Sequence, residues 1–252
     1  MSWYVFWSNV TAFWTTVVMN CIQPVNWQYC LPVQDWLFPA IGDYILFRRE
    51  QPYASERRIL QTLEEQEELS KYLTKQSCAE SVFFCNSGAE ANESAIKLIK
   101  KYGNEVHKGK ESFILAAESS FHGRTLATLS ATGQPKYQKG FEPMVKGFKF
   151  FKYNDIASVK KLFEELKNND QKVSGILIEP IQGEGGVIPG EKEFFKELRE
   201  ICNQNNSLLI LDEVQSGVGR TGKMWGYENL EIEPDGFTLA KGLGGGHAIG
   251  AL

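Results

Sequence analysis

At 252 residues, with 42% hydrophobic and 23% charged side chains, the chain has the make-up of an ordinary globular protein, long enough for one large domain or two small ones. A net charge of -4 at pH 7 gives no electrostatic reason to expect nucleic acid or an anionic membrane as a partner. Three scattered histidines (His107, His122, His247) argue for no metal centre, and five cysteines without a CxxC pair or framework spacing read as reduced thiols of a cytoplasmic protein.

The first stretch differs from everything after it. Trp3, Trp7, Trp14, Trp27 and Trp36 crowd together, no charged residue precedes Asp35, and Gly42 is the only glycine within residues 1–60. Trp3 to Ile22 has the length of a membrane helix, but Ser8, Asn9, Thr11, Thr15, Thr16 and Asn20 interrupt it. No Lys or Arg flanks it before Arg48, and the basic start of a signal peptide is missing. Residues 1–62 are therefore expected to be an atypical leader, disordered or translated in a shifted frame.

From residue 63 onward, short apolar strands alternate with amphipathic helices. A helix is expected over 64–74 with Leu69, Tyr72 and Leu73 inward, then a buried strand over 81–85. A second helix, 91–102, carries Ala91, Ala95, Leu98, Ile99 and Tyr102 on one stripe, and 113–116 is a strand. The spacing of Val159, Leu162, Phe163 and Leu166 makes 156–168 a third helix. Strand 175–178, helix 192–203, strand 207–211 and strand 237–240 complete the series. Such alternation predicts an α/β fold with a mostly parallel sheet covered by helices on both faces. In these sheets ligands bind outside the carboxyl ends of the strands, where the polar motifs of this chain fall.

Four motifs carry chemistry. The turn Asn86-Ser87-Gly88-Ala89-Glu90 sits between strand and helix, so it is either a phosphate cradle at a helix N-terminus or a plain turn capped by Ser87. No GxxxxGK[ST] sequence exists, which argues against a nucleotide phosphate. One strand ends in Asp212-Glu213-Val214-Gln215, and another delivers Lys241 into Gly242-Leu243-Gly244-Gly245-Gly246. A lysine amine can form a Schiff base with the aldehyde of pyridoxal phosphate (PLP), and an aspartate can hold its pyridine nitrogen protonated. Phe121-His122-Gly123-Arg124 offers an aromatic to stack on a flat ring and an arginine for a carboxylate, or else a core Phe, a surface His and a solvated Arg. Spacing alone assigns no acid/base pair to Glu179 and Glu184, and His247 reads as structural.

Taken together, FFCNSGAEANE, SFHGRTLATLSATGQPKYQ, EPIQGEGG, LDEVQSGVGRTGK and AKGLGGG resemble the class III aminotransferases among the fold-type I PLP enzymes, most closely the acetylornithine branch. The resemblance covers Glu64 to Leu252 and implies that residues 63–252 are a PLP-binding large domain whose C-terminal part is missing. It implies that Ser87, Gly88 and Ala89 hold the cofactor phosphate and that Phe121 stacks on the ring. Asp212 would pair with the pyridinium nitrogen, with Glu213, Val214 and Gln215 beside it and Gln215 near the ring hydroxyl. Lys241 would carry the Schiff base, Arg124 would contact substrate, and Glu184 would help choose between amino donor and keto acceptor. The implied reaction is a ping-pong transfer from N-acetylornithine to 2-oxoglutarate in arginine biosynthesis, by a cytoplasmic homodimer. Ornithine and 4-aminobutyrate are the alternative donors, and an inactive remnant is the alternative of another class.

Overall fold

The computed structural model describes residues 56–252, with side chains from Glu64 onward. The leader and the membrane and signal-peptide readings of its first residues therefore lie outside the described residues, apart from the backbone that begins the first helix at Glu56. Among the described residues no helix is long and apolar enough to cross a membrane.

Five strands form one parallel sheet: β2 (Ser112–Ala117), β3 (Phe148–Phe151), β4 (Lys172–Ile178), β7 (Leu208–Asp212) and β8 (Gly236–Thr238), in the order β3-β2-β4-β7-β8. The core strands read as continuous apolar runs because both faces are covered. Their residues nevertheless alternate between two packings. Ile114, Leu177 and Ile210 meet Ala95, Ile96 and Ile99 of helix α2 (Gly88–Val106) on one face. Leu115, Ile176, Ile178, Leu209 and Leu211 face the other way. There they meet Val159 and Leu166 of α5 (Ile156–Asn168) and Phe194, Phe195 and Leu198 of α6 (Lys192–Asn205). Each such aliphatic or aromatic side chain stabilises the fold by roughly 1.5–3 kcal/mol when fully buried.

The ends of these helices follow from local chemistry. Asp155 caps α5 by accepting from the Ser158 N–H at 3.2 Å, and Asn206 ends α6 in the left-handed conformation, a position that Asn tolerates. The remaining elements are α1 (Glu56–Lys75), α3 (Leu126–Ala131), α4 (Pro135–Gln138), α7 (Gly226–Leu230) and the hairpin β5 (Ile181–Gln182) with β6 (Ile188–Pro189). β1 (Phe84–Cys85) pairs antiparallel with β9 (Gly250–Ala251), so the end of the chain returns to the strand before α2.

Four local expectations need correction. Tyr72, placed inward by the helical spacing, is 52% exposed, while Leu73 beside it is buried. The strand expected over 81–85 reduces to Phe84–Cys85 and is only half-buried, because its partner is the two-residue β9 rather than the central sheet. The strand expected over 237–240 ends at Thr238, and Lys241 opens a short 3₁₀ turn. Leu98 and Tyr102 are only half-buried; Ile96 takes the inner position instead. Strand β3, Phe-Lys-Phe-Phe, carries a lysine within its short aromatic run and gives no clean periodicity, which is why the pattern did not mark it.

The chain passes from β2 to one side of the sheet and from β4 to the other. The crevice outside the carboxyl ends of β2 and β4 is thus the topological switch point, where this architecture places ligands.

Candidate active site

A cavity of about 400 Å³ opens at that switch point. Its wall takes residues from five places: Asn86 to Ala89 with Asn92, Phe121 to Arg124, Glu179, the end of β7, and the segment from Ala240 onward.

In the β1–α2 turn the capped reading of the sequence is observed, and the cradle reading keeps the free N–H groups it needs. Ser87 caps α2, its Oγ accepting from the Glu90 N–H at 3.2 Å, while Glu90 Oε2 reaches back to the Asn86 N–H at 2.6 Å. The N–H groups of Gly88 and Ala89 have no intrahelical partners, as in the first turn of any helix, and both residues line the cavity. A Cβ on Gly88 would fall 2.9 Å from Val214 Cγ1 and 3.3 Å from the Ala240 Cβ, so a side chain there would displace the neighbouring cavity wall. That cradle, with the positive end of the helix dipole, fits an anion such as a phosphate.

Asp212 ends β7 at the cavity floor with 5% exposure. A carboxylate so placed is costly unless donors meet it, and the chain supplies them. Oδ2 accepts from Asn92 Nδ2 at 2.7 Å and lies 2.8 Å from His122 Nδ1; Oδ1 accepts from the Val214 N–H at 3.1 Å. Asn92 is itself fixed, for it also donates to the His122 carbonyl at 2.8 Å and accepts from Thr238 Oγ1 at 2.8 Å. His122 Nε2 is buried with no hydrogen-bond partner among the described residues. The orientation of Asp212 is therefore set by two side chains from two separate elements and by one backbone N–H before any guest arrives.

Phe121 and Arg124 share one wall. The Phe121 ring meets Tyr137 edge-on at 5.7 Å, and the Arg124 guanidinium lies 4.1 Å from the Tyr137 ring centroid and 5.5 Å from that of Phe121. Lys241 lines the mouth with its side chain exposed and its backbone at φ 42°, a left-handed conformation that costs a non-glycine residue of order 1–3 kcal/mol. Among the described residues no carboxylate pairs with its amine. Val214 and Gln215 also reach the cavity.

Two candidate residues are not brought to the cavity. Glu213 turns into the core, where its oxygens accept from the N–H groups of Gly226 (2.6 Å) and Tyr227 (2.8 Å) and from Ser216 Oγ (3.1 Å). It caps α7; burial pushes its carboxyl up, against those hydrogen bonds. Glu184 is exposed on the β5–β6 turn, outside the cavity lining. Conversely, His122 is fully buried rather than on the surface, Asn92 and Glu179, which stood in the motifs without an assigned role, line the cavity, and Thr238 is buried beneath it against Asn92. Asn92 had a readable signal: it falls on the inner stripe of α2, one and two turns before Ile96 and Ile99, where a polar side chain needs a reason.

The family model of class-III aminotransferases matches residues 49–252. An acetylornithine aminotransferase from Prochlorococcus marinus subsp. pastoris is 94% identical over 193 residues, 77% of this chain and 46% of that protein. The crystal structure of N-acetylornithine aminotransferase from Stenotrophomonas maltophilia K279a superposes with a TM-score of 0.59 at 38% identity, over 74% of this chain and 44% of that one. The ornithine aminotransferase of Toxoplasma gondii, seen with partial occupancy of PLP at its active site, gives 0.66 at 32% identity, over 72% and 43%. This chain thus spans less than half the length of each of these relatives.

Proposed function

Because the chain belongs to the class-III aminotransferase family, we propose that its cavity holds pyridoxal phosphate and that the complete protein transfers an amino group between N-acetylornithine and 2-oxoglutarate. The observation that carries this reading is the convergence on one cavity of the α2 N-terminus, the buried carboxylate of Asp212 and the amine of Lys241. When bound, the cofactor supplies an aldehyde that captures an amine and a ring that accepts electrons.

The residues divide that work. Ser87, Gly88 and Ala89 hold the phosphate at the helix N-terminus. Asp212, aimed by Asn92 and His122, would meet the ring nitrogen and keep its proton in place. Phe121 supplies the aromatic wall, with Val214 and Gln215 from the β7 end completing the lining. Lys241 Nζ would supply the amine that the aldehyde captures and, as a free amine, would take up and return the proton at the donor's α carbon. Arg124 offers a substrate carboxylate a guanidinium held against Tyr137.

The identity of 94% to an acetylornithine aminotransferase supports N-acetylornithine over ornithine or 4-aminobutyrate as donor. We carry the homodimer and the cytoplasmic location as parts of the same proposal. Exposed Val187 (74%), Leu126 (65%) and Phe141 (59%) supply apolar surface that association would cover. Titrating the PLP-loaded chain with each donor while following visible absorbance tests the assignment. N-acetylornithine should change the spectrum at the lowest concentration, and a preference for ornithine or 4-aminobutyrate would contradict it.

A further inference from the structure

Glu179 follows β4 directly and is 4% exposed, yet the chemistry assigned to this cavity gives it no task. Its two oxygens are spent on two different loops. Oε2 accepts from the Phe121 N–H at 3.1 Å, in the segment that follows β2, and Oε1 accepts from the Gly183 N–H at 3.4 Å, in the β5–β6 turn next to Glu184. The Glu179 backbone is anchored in turn, because Tyr153 Oη donates to the carbonyls of Glu179 (2.8 Å) and Pro180 (2.9 Å).

The same two loops touch at two further points. Gln182 Nε2 donates to the Glu118 carbonyl at 2.8 Å. Gly185 packs so closely that a Cβ would lie 2.6 Å from the Ser119 carbonyl. One loop carries the aromatic wall and the other carries the exposed Glu184, and a single buried carboxylate is bonded to both.

We propose that Glu179 is a positioning residue that clasps the Phe121 segment to the β5–β6 turn, so that the aromatic wall of the cavity and the turn beside it are set by one group. A carboxylate suits this post because it offers acceptors in two directions, and backbone N–H groups on loops have few other partners. A glutamine, of the same shape, can accept on one side only; on the other its NH₂ faces an N–H. The clasp has a bearing on chemistry only if the cavity is the cofactor site proposed above, whereas its existence does not depend on that reading.

Backbone amide exchange, read residue by residue by NMR on the cofactor-free full chain, tests it. In Glu179→Ala the Phe121 and Gly183 amides should both exchange faster, by about tenfold at Phe121 and less at the longer Gly183 contact. The Ser119 amide, which donates to the Gly133 carbonyl, and the His122 amide, which donates to Thr132 Oγ1, should keep their rates. Glu179→Gln, which preserves shape if the alanine variant unfolds, should accelerate one of the two amides and spare the other. Unchanged exchange at Phe121 and Gly183 in either folded variant, or equal acceleration at Ser119 and His122, would overturn the proposal. Failure of the cofactor reading would show separately, as the lack of a Lys241-dependent absorbance band with exchange at Phe121 still governed by Glu179.

Discussion

The floor and the mouth of the cavity are built on opposite terms. At the floor, Asp212, Asn92, His122 and Thr238 are buried and bonded to one another from β7, α2, the segment after β2 and β8. At the mouth, Lys241 and Arg124 are exposed, and Lys241 sits in a strained backbone conformation with no carboxylate paired to its amine among the described residues. The contrast separates orientation from reaction. On the proposed reading, the group that would hold one fixed direction is over-determined by the fold, and the groups that would exchange partners are left free to do so.

Replacing Lys241 by Ala breaks the mouth outright and has the largest expected effect on function. Covalent capture of PLP should be lost, with global stability within about 0.5 kcal/mol of the parent, since alanine keeps the Cβ that strains the left-handed backbone and the lysine side chain is exposed. Denaturant unfolding beside the absorbance spectrum checks both halves.

At the floor the balance reverses. Asn92→Leu strands Thr238 Oγ1 and the His122 carbonyl and removes a donor from Asp212, each buried group costing roughly 1–3 kcal/mol. A loss of about 3 kcal/mol in urea unfolding is expected. Asn92→Asp should cost more still, because it sets a second carboxylate within about 3 Å of the first. A near-neutral Asn92→Leu would show that the floor is not pre-organised in this way.

A third effect distinguishes the two regions by pH. Burial raises the Glu179 carboxyl to about 7, with the Asp212 charge adding to the rise while His122 and the N–H groups of Phe121 and Gly183 oppose it. Tyr153, which donates to the Glu179 carbonyl, is the other titratable group that feels its charge. A carboxyl raised in the folded state binds protons more tightly there than in the unfolded chain. Its contribution to stability is therefore full below about pH 4.5 and is lost as pH rises through about 7, by at most about 3 kcal/mol. Glu213, also raised by burial, acts with the same sign. Glu179→Gln removes one of these two contributions, so its stability relative to the parent should improve from pH 5 to pH 8. A constant difference across that range would contradict the assignment. The mouth supplies the smallest change in stability: Arg124→Gln should unfold within about 0.5 kcal/mol of the parent while raising the donor KM at least about tenfold.

How much of this was legible in the sequence follows the same division. The parallel sheet was readable because continuous aliphatic runs such as Leu208 to Leu211 alternate with amphipathic helices, and burial on both faces demands that pattern. Asp212 and Lys241 were readable because strand ends and glycine-rich turns mark the carboxyl edge of such a sheet. The floor network was harder to see. His122 looks like a surface residue until the β2 segment folds over β7, and Glu179 is separated in sequence from every group it serves at Phe121. Glu213 misled for the opposite reason, since adjacency to Asp212 says nothing of direction: alternate residues leaving a strand point to opposite sides. Strand β1 could not be sized from its own residues, because its partner is β9, at the far end of the described chain.

The central claim is that these residues assemble a working cofactor site. The most direct measurement is a visible absorbance titration of the purified chain with PLP, run beside Lys241→Ala. A band that appears in the parent, fails in the variant and bleaches on addition of N-acetylornithine is the predicted result. A parent without a Lys241-dependent band would contradict the account, leaving the fold in place but the chemistry unassigned.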